Sequence, residues 1–463
     1  LAKRISRTLF DLHAIGTRRA LVRQYSTECS WWSDLDDLVF GTVILDHTDQ
    51  DYGWILLVRD GVGRFRCANL ETDIATERRA TAALRIAIAE TVRDPAFTGF
   101  VMQGDEPSRI VDLLEDRGIP DEKLHRNYLI LRDETSKAPS RKVLEAISPW
   151  LVSSDPHLVK EFQESQFDQR LWEIYLWAMF RDQGYDVEHA EAPDLKVSSP
   201  WFRYSVEATT VAPSTSGPLA DHPKPTTPAE ISEFLHGYMA IKFGSALTSK
   251  LNKTDAQGRH YWEKPGFEDM PFVIAVADFH HDSDFDRLGP MTYSQGGLYA
   301  YIFGRRMGVI EKDGKLVGYS EPIEQHTYNG KVVPTGFFRL PKAENVSAVI
   351  FSNAATLAKF DRIGVLAGFA PADHSYIRFG QTFDPDPDAF VGKPFSIDVT
   401  DPSYEEFWGD ELQVFHNPNA KLPLSWEAFP DAVQFGYVDG AMISRDRPGR
   451  VLSSATIVLR KER

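Results

Sequence analysis

Three carboxylates carry the strongest chemical signal in this chain. The segment LWEIYLWAMF (171–180) holds nine apolar residues and one charge, Glu173. A helix that is apolar all round is buried, and an ionised carboxylate there needs a partner, a proton or a metal ion. Farther on, APDLKV (192–197) and RYSVEATTV (203–211) read as two short strands joined by the turn-like SSPWF, which sets Asp194 and Glu207 on neighbouring antiparallel strands. Paired residues on one face can bring two carboxylates within reach of one divalent cation, and carboxylate with carbonyl oxygen is the donor set that Mg²⁺ or Mn²⁺ prefers. The Ala208 carbonyl would add an oxygen. Each acid also has an ordinary reading. Glu173 could pair with Arg170 or Arg181, Asp194 could end a turn after Pro193, and Glu207 could lie on a solvated strand face.

The elements that must position these groups follow in order. A long helix is predicted over about 157–183, then three short strands up to 211, then the loop VAPSTSGPLADHPKPTTP. A second long helix is predicted at about 228–253, followed by the buried strand PFVIAVADF, a short helix at 294–304 and a last central strand, VSAVIFSN (346–353). Helix with Glu173, strand with Pro193-Asp194, strand with Glu207-Ala208-Thr209, helix, strand: over about residues 157–280 this order resembles the PD-(D/E)xK, restriction-endonuclease-like nucleases.

The resemblance implies an α/β core in which Asp194, Glu207 and the Ala208 carbonyl hold Mg²⁺, with Glu173 as a further ligand. It implies cleavage of phosphodiester bonds in nucleic acid, DNA in the first instance, in a setting such as bacterial restriction or phage defence, and it allows for a homodimer. One position departs from the pattern. Thr209 stands where the family carries a lysine, and a hydroxyl supplies no positive charge to lower a water's pKa or stabilise an oxyanion. In some branches that lysine moves to the next helix, which here offers Lys242, Lys250 and Lys253; Lys242, flanked by Ile241 and Phe243, is the preferred candidate. Lys196, two residues after Asp194, is the other. The alternative is a catalytically silent protein of the same fold that binds or scaffolds, and a weaker third reading is an unrelated α/β hydrolytic enzyme.

Other clusters are weaker. DFHHDSDFD (278–286) gathers His280 and His281 with four aspartates, and Asp46, His47, Asp49 and Asp51 crowd a hairpin turn. Neither has metal-ligand spacing, and both read as polar loops. No P-loop, dinucleotide or G-x-S-x-G pattern occurs.

Ahead of the core, three β-rich runs in 39–69 suit an antiparallel meander, and TERRATAALRIAIAETV (76–92) spaces Ala80, Leu84, Ile88 and Val92 for a helix after a Thr76 cap. A strand at 98–103, a helix at 108–118 and a strand at 127–133 complete the expectation. Residues 1–133 thus form an N-terminal α+β module for recognition or assembly, 134–156 a linker, and 157–463 the nuclease-like α/β domain with a C-terminal extension. Residues 1–27, with six bases and one acid, read as a basic helix.

Composition bounds partners and compartment. The 463 residues carry a formal charge of −16, which disfavours a broadly basic nucleic-acid coat but not a local cleft. Nine acids and one base lie in 381–411, whereas 238–264 has five bases against two acids. Two cysteines, Cys29 and Cys67, indicate no disulfide framework and a reducing, cytoplasmic setting. No apolar run approaches the ~20 residues of a membrane-spanning helix.

Overall fold

A computed structural model describes the chain apart from residues 109, 152–155, 221–224, 226, 281–293, 313, 387–388, 390–391, 439–440, 448 and 462–463. Its N-terminal part begins with β1 (Ala2–Arg4), α1 (Arg7–Ala14) and α2 (Ala20–Tyr25), so residues 1–27 are a strand and two short helices rather than one basic helix. Strands β2 (Ser26–Asp34), β3 (Val39–Asp46), β4 (Tyr52–Arg59) and β5 (Phe65–Ile74) join β1 in an antiparallel sheet with strands in chain order. Helix α3 (Glu77–Arg93), capped by Thr76, lays Ala80, Leu84 and Ile88 on Val39, Val43, Trp54, Leu56 and Val58. Helix α1 covers part of the opposite face, with Phe10 and Ala14 against Phe40, Leu57 and Phe65.

Four expectations between this sheet and the core fail. Residues 98–103 contribute only one bridge, Phe100 to Arg59, and the described part of 108–118 is irregular apart from a turn at 113–114, with Val111 and Leu113 buried. The segment NYLILRD is helical, as α4 (Arg126–Asp133), because Tyr128 and Leu131, three residues apart, are the pair it buries. The expected linker folds as α5 (Ala138–Ile147), which buries Val143, Leu144 and Ile147. A short apolar run fits either period, and only the partner surface decides between them.

The central region starts with α6 (Leu158–Glu164) and α7 (Phe167–Asp182), two helices where one was expected, since the backbone leaves the helical region at Gln166 (φ −131°, ψ 34°). Eleven residues of α7 are buried, and it ends where Gly184 takes φ +88°, a left-handed turn that closes the last carbonyls. Strands β6 (Asp186–His189), β7 (Leu195–Ser198) and β8 (Arg203–Val211) form an antiparallel meander. Helix α8 (Pro228–Glu233) passes through a π-helical turn, Phe234–Met239, into α9 (Ala240–Asn252). Strand β9 (Phe272–Asp278) then lies parallel to β8, so α9 is the crossover between them. There follow α10 (Gln295–Phe303), the hairpins β10 (Arg305–Lys312) with β11 (Lys315–Pro322) and β12 (Gln325–Tyr328) with β13 (Lys331–Pro334), and β14 (Val346–Ser352), parallel to β9.

Beyond α11 (Leu357–Leu366), β15 (His374–Thr382) and β16 (Lys393–Asp398), three more strands extend the central sheet: β17 (Gln413–His416), β18 (Val433–Val438) and β19 (Ala441–Arg445). The last strand, β20 (Val451–Arg460), pairs with β15. The eight-stranded sheet runs β19-β18-β17-β14-β9-β8-β7-β6, so VSAVIFSN is an inner strand and not the last central one. The two-residue period shows in β9, all of it buried. Val273, Ala275 and Ala277 join one core, with α5, α7 and the start of α11, while Phe272, Ile274 and Val276 join another, with α9 and α10. The first core also takes in Leu12 and Ile15 from the end of α1. The chain is a mixed α/β protein, and among the described residues no helix is long and apolar enough to cross a membrane.

The acidic stretch 381–411 is not all surface charge. Glu406 is buried and the Glu411 side chain is 7 % exposed, and they bind Lys359 and Arg362 of α11 and Arg378 of β15, with Arg362 Nε 2.8 Å from Glu406. Carboxylates here neutralise cations that fix the β16-β15-β20 sheet to α11. On its other side α11 meets α5: Ser140 and Lys137 both bond Asp361 at 2.6 Å, and a Cβ on Gly364 would lie 2.6 Å from the Pro139 carbonyl oxygen. If α5 were a linker, Gly364→Val would be silent. Given this contact, it is expected to lower stability by about 1–3 kcal/mol, the usual cost of overpacking, in urea denaturation followed by circular dichroism.

Candidate active site

Strand register brings the acids together. Leu195 pairs with Val206 and Lys196 with Ser205, so Asp194, one residue before β7, faces Glu207. Pairing with β7 begins at Val206, whereas β8 runs on to Val211, which leaves a notch beside residues 207–211. Into it reach α7 from one face of the sheet and α9 from the other. Together with the start of α4 they enclose a cavity of about 620 Å³ lined by Gln169, Glu173, Asp194, Thr210 and Lys250 among others.

Within the notch each acid is held differently. Glu207 is 3 % exposed; its Oε1 accepts from Lys250 Nζ at 2.5 Å and from the Tyr261 hydroxyl at 2.8 Å, while its Oε2 is buried without a hydrogen-bond partner. Asp194 Oδ2 accepts from the Ala208 N–H at 2.7 Å. Burial, then the Glu207 and Glu173 carboxylates, push the Asp194 carboxyl well above its ordinary value against the opposing pull of that N–H and of Lys250. Glu173 accepts from Arg170 at 2.8 Å and from Gln169 at 2.9 Å, and Arg170 in turn grips Glu161. Gln169 also reaches the Ala208 carbonyl, at 3.4 Å, and accepts from Thr210 at 3.3 Å. One amide therefore ties the Glu173 carboxylate to the backbone oxygen beside Glu207. Burial and nearby Arg170 hold His189 neutral, its pKa down to about 4.

The lysines separate. Lys250 meets Glu207, whereas Lys242 donates to Ser214 at 2.9 Å, and its ammonium is depressed by burial and by Lys331. Lys196 lies 3.7 Å from Glu188, and Lys253 is exposed. The reason is geometric. A crossover helix runs antiparallel to its strands, so α9 starts near the Val211 end of β8 and travels back. Eight helical residues advance about 12 Å, and the four strand residues from Val211 to Glu207 span about 13 Å. Lys250, not Lys242, thus comes level with Glu207. Thr209 is partly buried on β8 opposite Val276. Sequence reasoning overlooked Gln169, four residues before Glu173 and hence on its helix face, and Tyr261, for which no local pattern exists.

The secondary clusters resolve in part. Asp278 and His280 are buried and bonded at 2.6 Å, with His280 Nε2 3.0 Å from the Tyr238 hydroxyl, so this end of β9 is core; His281, Asp282, Asp284 and Asp286 lie outside the described residues. Asp49, Asp51 and Asp73 bring carboxylate oxygens within 4.8 Å of one another at the hairpin end, the one such group of three among the described residues, so Glu173, Asp194 and Glu207 are more widely spread. Comparison of the chain with protein-family models, with curated proteins and with solved structures returned no match.

The raised Asp194 carboxyl has a sign that can be read. An acid whose folded pKa lies above its unfolded value costs stability as pH rises from the unfolded value, about 3.9, through the folded one. In chelator, Asp194→Asn is expected to raise Tm at pH 8 by about 2 °C and to change it far less near pH 3.5, where most of the unfolded chains also carry the proton. Differential scanning calorimetry at the two pH values checks this, and a lowered Tm at pH 8 would contradict it.

Proposed function

We propose that this protein is a metal-dependent nuclease of the PD-(D/E)xK type, with Asp194, Glu207 and the Ala208 carbonyl as the ligands of one divalent cation and Glu173 beside them. The observation that carries the reading is the buried Glu207 Oε2, unbonded, on a residue that the register sets opposite a protonation-prone Asp194, while its other oxygen is fixed by Lys250 and Tyr261. A hard cation resolves both anomalies, since it satisfies the oxygen and favours the ionised aspartate. The order α7, β6-β7-β8, α9, β9 supports the same reading, because it carries the three acids in the family's sequence of elements.

The protein groups divide the work. Glu207 and Asp194 supply negative oxygen donors, and the hydrogen bonds to Oε1 leave Oε2 as the ligand atom. Gln169 orients Glu173 and the Ala208 carbonyl. Lys250, held at Glu207 Oε1, would provide the positive charge that Thr209 cannot. Mg²⁺ or Mn²⁺ bound there would polarise the phosphodiester and lower the pKa of a bound water. Nucleic acid is the substrate class that this chemistry serves.

The test is cleavage of duplex DNA, single-stranded DNA and RNA in Mg²⁺ or Mn²⁺. Lys250→Ala is expected to reduce the rate about 10²-fold or more, Asp194→Ala to abolish it, and Lys242→Ala to leave it within about threefold of wild type. Cleavage that survives Asp194→Ala and Lys250→Ala would remove the site, and binding without cleavage by the wild type would favour the silent fold.

A further inference from the structure

The N-terminal sheet has a second face that its helices do not close. Phe40, Thr42 and Ile44 of β3, Ile55 and Leu57 of β4, and Phe65 and Cys67 of β5 alternate onto that face. Helix α1 has eight residues, about 12 Å long, and its cluster buries Phe40, Leu57 and Phe65 but leaves Ile55 and Trp31 partly exposed at its edge. Thr42, Ile44, Ile55 and Cys67 are left to line a cavity of about 400 Å³ together with Trp31. Helix α2 runs along its mouth without a single buried residue, and its Val22, 47 % exposed, is part of the lining.

The rim is cationic. Arg7, Arg18, Arg19 and Arg23 line the cavity against one acid, Glu28, which is itself clamped by two bonds from Arg18 and one from Trp31 Nε1 at 2.7 Å. Arg7 pairs with Asp11, Arg18 with Asp11 and Glu28, and Arg19 with Asp186. Arg23 is the rim base with no carboxylate at ion-pair distance among the described residues. An apolar chamber of this size with a few convergent polar groups is the usual form of a small-molecule site. The largely apolar lining disfavours a bulky polar body, and the Arg23 guanidinium, in the field of Asp182, Asp11 and Glu28 but at ion-pair distance from none of them, is left to meet a negative end.

We propose that this cavity binds a small amphiphilic anion: an apolar body of about twenty non-hydrogen atoms seated on Ile44, Ile55 and Thr42, with one phosphate, sulfonate or carboxylate at Arg23. The site is separate from the acidic notch and stands whether or not the nuclease reading does. The probe is 1-anilinonaphthalene-8-sulfonate, followed by fluorescence on the full-length chain, with dodecanoate and adenosine monophosphate as competitors.

Wild type is expected to bind one probe per chain saturably. Arg23→Ala, a change at an exposed side chain, is expected to weaken binding about tenfold, and Ile55→Trp, which fills the chamber, to abolish it at unchanged circular dichroism. Displacement by dodecanoate assigns an acyl anion, and displacement by the nucleotide alone overturns the apolar body. Absence of saturable binding, displacement by neither competitor, or binding indifferent to Arg23→Ala overturns the proposal.

Discussion

The burial of Glu207 is the constraint around which the central region is organised. A carboxylate between Val206 and Ala208, on a strand with apolar neighbours on both faces, costs several kcal/mol unless its charge is met. One oxygen is met by Lys250 and Tyr261 and the other is not. Asp194 and Glu173 add negative charge to the same notch, and Lys250 and Arg170 are the cations bonded to these acids. An acid-rich pocket with one orphaned oxygen is poorly arranged for stability and well arranged for a cation. That imbalance is the physical feature on which the proposed cation site rests.

The rest of the fold serves to hold that imbalance in place. Strands β9 and β14, buried along their whole length, give β8 a rigid neighbour, and α7 and α9 clamp the sheet from opposite faces. Because β7 pairs only as far as Val206, the two helices can meet at one notch without crossing the sheet. The C-terminal third adds mass to the far edge through β17, β18 and β19, and its ion network of Glu406, Glu411, Lys359, Arg362 and Arg378 secures a separate small sheet to α11. Removing one member would leave the others charged and dry, so the network acts as a unit. It also means that net charge, read from composition, misstates how much acidity faces solvent.

What could be read from the sequence followed from short-range periodicity. The strand that follows Asp194, the strand carrying Glu207, the apolar helix around Glu173 and the crossover after β8 all announce themselves in runs of four or more patterned residues. What escaped depended on partners distant in sequence. NYLILRD fits a strand until Tyr128 and Leu131 meet the core, and the linker-like 134–141 becomes helix because α11 offers Asp361 and a glycine to pack on. Lys250 was legible in principle, since strand and helix rises alone place it level with Glu207, whereas the apolar flanks of Lys242 carry no information about that level. Tyr261 and the open sheet face above Ile44 and Ile55 were not legible, because nothing local records which surfaces a short helix fails to cover.

The central claim is that Glu207 and Asp194 share a divalent cation. Anomalous diffraction from crystals soaked in Mn²⁺ measures this directly. A peak coordinated by Asp194, Glu207 and the Ala208 carbonyl, and absent from the Glu207→Gln protein, is the predicted result. A peak only at the exposed Asp49, Asp51 and Asp73 cluster, or none at all, would contradict it.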